Sequence, residues 1–337
     1  MSAHAARPGE PIPTGPAPAG EAARRLNRAE QARKLSVGLG LVLVLATFSV
    51  LNGDFLTGDN FTQIALQSSI NAVIAVGMTL VIITAGIDLS VGSVAGLSSV
   101  IGAVMMVDNG VPWTLAVPLA VAVGVVAGLV NGVLIAYVSL APFVVTLGTL
   151  SIYRGLALVT TDGETVFNFP QTFRDVFAGD IGPIPTPVII ALLVAGIAFA
   201  ILRGTSLGEH IVAVGGNEEA ARLSGVRVAR VKLFVYGFSG FCATIAGLIL
   251  IARVGAAEPI AGSGFELAAI AAAAIGGASL YGGIGSIPGT LIGALILGAL
   301  QNGLTLMNVQ AFWQQVASGI VIILAVLLDR FTRGRAS

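Results

Sequence analysis

Charge is what this sequence has least of. Asp, Glu, Lys and Arg make up 10% of its 337 residues, against about 25% in soluble globular chains. Residues 61–153 hold only two charged side chains, Asp88 and Asp108. Hydrophobic residues reach 55% and the mean hydropathy is +0.94. A water-soluble fold needs far more polar surface, so the composition excludes one and implies a polytopic, all-α membrane protein.

Other absences narrow the chemistry. Histidine occurs only at His4 and His210, lysine only at Lys34 and Lys232, and cysteine only at Cys242. One cysteine allows no disulfide framework and no cysteine-based metal site within one chain. The run Gly237-Phe238-Ser239-Gly240 matches the G-x-S-G of rhomboid-type serine proteases, whose serine needs a histidine base within hydrogen-bond reach. Neither histidine lies in an apolar segment, so Ser239 has no base. No H-E-x-x-H exists for metal hydrolysis. Both lysines precede a leucine, where a phosphate-binding loop requires Ser or Thr. The chain therefore carries no catalysis and no cofactor of its own.

Long apolar runs are what it does have. A span takes about 20 apolar residues, and ten candidates emerge: roughly 35–52, 62–85, 89–107, 113–137, 141–160, 186–203, 231–254, 266–281, 286–306 and 313–329. The eighth and ninth are Gly-rich and adjoin at residues 281–285, a pattern open to broken or re-entrant helices. Residues 1–34, rich in Pro, Ala and Gly, read as a disordered tail. The first apolar run competes with a secretory signal. Its long polar lead and the lack of a small-residue cleavage site favour an uncleaved span. With the N-terminus in the cytoplasm, fourteen of the seventeen basic residues fall inside. They lie in the N-terminal tail, in a loop at 204–230 with Arg203 and Lys232 flanking it, and in a tail at 331–337 with Arg330 just before it, leaving Arg154, Arg174 and Arg253 elsewhere. An even number of spans puts both termini on that side, with a membrane domain over 35–330 between the tails.

Glycines spaced by four, Gly92 and Gly96 and then Gly124, Gly128 and Gly132, let helices approach closely in lipid. Polar residues inside the spans are candidates for a translocation path. Asp88, before Leu89 and Ser90, reads either as an N-cap for the third span or as a hinge or gate between half-helices. Arg154, in the outer half of the fifth span, must pair or face water. It reads as a structural partner, a headgroup contact or a path-lining group. Asn71, Ser90, Asn131, Thr146, Thr149, Gln301 and Asn302 either line a polar route or bond between helices.

The loop at 204–230 carries the strongest local signal. Asn217 suits an N-cap, Glu218 and Glu219 suit the positive end of a helix, and Gly225 can close it in the left-handed conformation. The result is a short self-capped helix with an apolar patch at Ala220, Ala221 and Leu223, either a docking element or a connector.

Here the sequence resembles a family. Glu219-Ala220-Ala221-x-x-x-Gly225 matches the first half of the EAA loop, by which ABC importer permeases engage their ATP-binding subunits. The second half, Ile-x-Leu-Pro, is replaced by Val235, Gly237 and Phe238. That departure fits the ribose, xylose and arabinose branch. The same branch resembles this chain in GMTLVIITAGIDLSVGS (77–93), TLGTLSIYRGLAL (146–158), GGNEEAARLSGV (215–226) and AAIGGASLYGGIGSIPGTLIGA (273–294).

The resemblance covers roughly residues 35–330. It implies a ten-span permease in the bacterial plasma membrane, working as a homodimer, with spans 2–5 and 7–10 related as an inverted repeat. It also implies a cytoplasmic ATPase, often a fused double-domain chain, that holds ATP and Mg, and an extracytoplasmic sugar-binding protein. Asn217, Glu218, Glu219, Ala220, Ala221, Arg222, Leu223 and Gly225 would then couple ATP use to transport. Lipid is a further partner; nucleic acid is not. Two alternatives stand beside this: an ion-coupled secondary transporter, for which Asp88 is the one candidate coupling carboxylate, and a permease for branched-chain amino acids.

Overall fold

A computed structural model describes residues 37–333. The disordered tail expected at 1–34 lies outside the described residues, as do the last four of the tail expected at 331–337. The apolar helix α1 (Val37–Leu51) runs through a 3-10 turn into α2 (Gly58–Ile83), α3 (Val91–Val107), α4 (Trp113–Ala136) and α5 (Pro142–Thr160). An amphipathic helix, α6 (Gln171–Ala178), precedes α7 (Thr186–Gly204). Then come α8 (Ser206–Gly216), α9 (Glu218–Leu223), α10 (Val228–Val254), α11 (Phe265–Ile275), α12 (Ile287–Leu306) and α13 (Ala311–Arg333). Among the described residues, sheet is confined to two antiparallel pairs of two-residue strands, one of which joins Val166 to Ala257.

Every segment expected to span contains a helix. Six of these, α2, α4, α5, α7, α10 and α12, are long and apolar enough to cross a membrane, while α1, α3 and α11 are apolar but shorter. The eighth segment, expected to reach 281, stops at Ile275. Its 11 residues rise about 16 Å, roughly half of a bilayer's hydrocarbon core. The stop is made by Gly276 and Gly277, the second with φ +88°, a conformation that costs a side-chain-bearing residue dearly. At the other end, α13 continues to Arg333, three residues past the expected boundary at 330. The 204–230 segment is more ordered than a loop, since it holds both α8 and α9.

Two long helices form the centre. The apolar window of α2 is 89% buried and that of α10 is 72%, whereas α5 and α7 reach only 28%. The outer helices thus keep apolar faces for lipid, as their exposed Leu and Val side chains show. Glycine allows the closest crossings. A methyl group added at Gly77 of α2 would stand 2.9 Å from Cβ of Cys242 on α10, and one at Gly128 of α4 would overlap the carbonyl of Tyr236. The expected use of Gly124, Gly128 and Gly132 as a close-packing seam holds, with α10 as the partner. Gly92 and Gly96 behave differently, because they receive the segment before α11 rather than another helix.

The packing has a pattern. α10 lies on α3 and α4, and α3 on α4 and α5; α2 lies on α12 and α11, and α11 on α12 and α13. Mapping α2–α5 onto α10–α13 carries each contact onto its counterpart. The two short helices also start inside the bundle. Asp88, just before α3, bonds Ser239, the twelfth residue of the 27-residue α10, about 16 Å along it. Gly262, just before α11, meets Gly92 in the first turn of α3, and a methyl group on either would strike the other's carbonyl.

Candidate functional site

The polar residues singled out in the sequence fall into separate groups. Asp88 is 1% exposed. Its Oδ1 accepts the Ser90 N–H at 3.0 Å and the Ser90 hydroxyl at 2.6 Å, and its Oδ2 accepts the Ser239 hydroxyl at 2.8 Å. Asn131 on α4 donates to Ser90 Oγ at 2.8 Å. The Thr146 hydroxyl donates to the Ile87 carbonyl at 3.3 Å, and Tyr236 to the same oxygen at 3.4 Å. Asp88 is not the N-cap of α3: that residue is Ser90, whose own side chain makes no cap bond, and Asp88 instead holds Ser90 in a tight turn. The turn at 87–90 is thereby tied to α4, α5 and α10. Ser239, which has no base, has Asp88 as its structural partner instead.

Arg154 turns inward. Its Nη1 donates to the carbonyls of Pro259 at 2.8 Å and Ala261 at 2.7 Å, pinning the segment before α11 across Gly96. Asn302 of α12 donates to Asn60 Oδ1 at 2.9 Å, and Asn60 donates on to Phe55. That chain fastens α12 to the start of α2. Thr149 bonds only within α5.

Asn71 lies elsewhere, in a cleft of about 550 Å³ between α2, α10, α11, α12 and α13. Gln301 lines it too, accepting from Gln67 Nε2 at 3.0 Å. Sequence reading missed Gln67, Gln314, Gln315 and Arg253, which also line it. The signal was present as helical spacing, with Gln67 and Asn71 four apart on α2 and Gln314 and Ser318 four apart on α13.

The other feature is a surface element. Asn217 Oδ1 accepts the Ala220 N–H at 2.9 Å, so α9 is capped as expected, and Gly225 closes it at φ +87°. Glu218 bonds Lys232 of α10 at 2.8 Å and Arg222 at 3.2 Å; Arg222 also lies 3.7 Å from Glu219. The apolar patch is smaller than expected. Ala221 is buried against the chain itself, leaving Leu223, 82% exposed, and Ala220 outward. α8 packs on the end of α2, where Gly215 touches the Ile83 carbonyl. The basic residues Arg203, Arg222, Arg227, Arg230 and Lys232 gather at this end of the bundle.

A lipid-facing bundle with interrupted helices, buried polar ties and one charged, self-capped surface element has the architecture of a membrane transport subunit. The chain belongs to the family described as branched-chain amino acid transport system / permease component, which matches residues 60–326. Among its relatives is the ribose import permease protein RbsC of Bacillus subtilis (strain 168), 46% identical over 304 residues, spanning 88% of this chain and 93% of that protein. The D-allose transport system permease protein AlsC of Escherichia coli (strain K12) is 44% identical, spanning 86% and 89%. The xylose transport system permease protein XylH of the same strain is 35% identical, spanning 85% and 88%. No solved structure matches the chain.

Proposed function

We propose that this chain is the membrane-spanning permease of an ATP-driven ABC importer for a monosaccharide of the ribose type. The observation that carries the reading is identity above 40%, over nearly the whole length, to permeases named for ribose and allose. The relatives do not favour an ion-coupled carrier.

Two copies form the translocation unit in the bacterial plasma membrane, with both termini cytoplasmic. The basic α8–α9 end then faces the cytoplasm, in keeping with the distribution of arginine. A cytoplasmic ATPase, possibly a fused double-domain chain, holds ATP and Mg and docks on α9. An extracytoplasmic binding protein delivers the sugar at the opposite end. This chain forms and breaks no covalent bond. ATP binding draws the two α9 elements, and the movement alternates access through the pair. The matching contacts of α2–α5 and α10–α13 support an inverted repeat, and the mid-bundle starts of α3 and α11 suit it.

The test is co-purification of the tagged permease from its native cell, with and without Glu219→Lys. Glu219 is exposed on α9, so the substitution alters docking while sparing the core. An ATPase that accompanies the unmodified chain and is lost with the variant supports the reading. A chain that purifies alone and moves sugar into liposomes on an ion gradient without ATP overturns it.

A further inference from the structure

We infer that the cleft between α2, α10, α11, α12 and α13 is a sugar-binding station inside each permease chain. This rests on the transport reading above and assigns the substrate a place within it. The volume of about 550 Å³ lies within the ~300–1,000 Å³ typical of small-molecule sites.

Asn71 carries the inference. It is only 8% exposed and lines the cleft, yet its side-chain amide has no hydrogen-bond partner among the described residues. Its amide atoms are open to the cleft and not sealed in the core, so its donor and acceptor are available to whatever fills that space. The Gln67–Gln301 bond at 3.0 Å uses one donor and one acceptor, leaving each amide further capacity toward the same space. Arg253 adds a guanidinium that makes no ion pair among the described residues. Phe265, in the first turn of α11, gives the cleft an aromatic wall.

Amides that both donate and accept, beside an apolar ring, match a molecule with alternating hydroxyl and C–H faces. Among the described residues, no Asp or Glu lines the cleft. An amino acid's ammonium group would find no carboxylate there, whereas a neutral polyol needs none.

The single native cysteine makes the test clean, because Cys242 is fully buried. Ser318→Cys puts a thiol in the cleft where the hydroxyl bonds only its own helix, and Ala268→Cys is a second reporter. Ser224→Cys, exposed just after α9, is the control. Purified permease is labelled with a maleimide with and without D-ribose, D-xylose or D-allose. At roughly 50 mM sugar and a Kd of roughly 10 mM, labelling of either cleft thiol should slow about sixfold, from 1 + [L]/Kd. Labelling of the control should not change. Adding Asn71→Leu should abolish the protection. Equal labelling with and without all three sugars overturns the proposal, as does protection that survives Asn71→Leu. Uptake of the same sugars by vesicles holding the permease, ATPase and binding protein separates the two claims. Uptake without protection sinks the station alone, and no uptake of any of the three sinks the transport reading with it.

Discussion

Asp88 provides the sharpest energetic test, because two substitutions of nearly equal size should behave very differently. Its carboxylate accepts three hydrogen bonds, two from Ser90 and one from Ser239. In Asp88→Asn the remaining oxygen keeps both Ser90 bonds. The new amide nitrogen faces the Ser239 hydroxyl, which rotates to accept. All three contacts survive in altered form, so the loss should be at most about 1 kcal/mol. Asp88→Ala strips all three bonds and strands two hydroxyls and an N–H in a sealed core. At about 1.5–3 kcal/mol for each bond to a charged group, the loss should be on the order of 5 kcal/mol. Cys242, at 0% exposure, supplies the assay. Maleimide labelling along a denaturant series reports when α10 parts from α2. If Asn and Ala lower the midpoint equally, the hydrogen-bond account is refuted. If Asn holds its midpoint but import fails, Asp88 acts as a gate as well as a tie between α3 and α10.

Other outcomes follow from the same geometry. Gly128→Ala should cost about 1–3 kcal/mol, seen as earlier Cys242 labelling, because its methyl group would meet the Tyr236 carbonyl. Gly196→Ala, with open space around it, should be neutral or slightly stabilising in the same assay. Arg154→Leu removes both bonds to the segment before α11; hydrogen exchange at residues 259–266 should quicken while the rest of the bundle keeps its protection. Glu218→Ala breaks partly exposed pairs, so global stability should fall by less than about 1 kcal/mol. Exchange across α9 should nonetheless rise sharply, since Lys232 no longer holds it.

Much of the fold was legible because lipid imposes strong local rules. Apolar runs located the helices, and the Gly124–Gly132 spacing marked a close seam. Asn217 and Gly225 announced α9 through capping chemistry that depends on neighbours in sequence. What was not legible depends on partners distant in the chain. Asp88 lies 151 residues from Ser239, and Arg154 lies over a hundred residues from the carbonyls it holds. Neither pairing has a spacing to read. Ala221 looked like part of an outward patch because six residues of helix do not reveal which side rests on its own bundle. The cleft was half visible: Asn71 and Gln301 stood out as polar groups in apolar runs. Gln314 and Gln315 lay in a segment already read as a plain span, and Arg253 had been set aside as an exception to the charge rule.

The helix α10 links the two ends of the molecule. Lys232, held by Glu218 of α9, is five residues into it, and Arg253, on the wall of the cleft, is one residue from its end. Its 27 residues extend about 40 Å, and no proline interrupts them. A helix so built works as a pushrod: displacement at its foot reaches its head undiminished, with no chain of small rearrangements to carry it. Spin labels at Arg230 and Val254, both exposed on α10, should then keep one separation through the nucleotide cycle. A separation that changes would locate a joint in the rod, with Gly237 and Gly240 the weakest points along it.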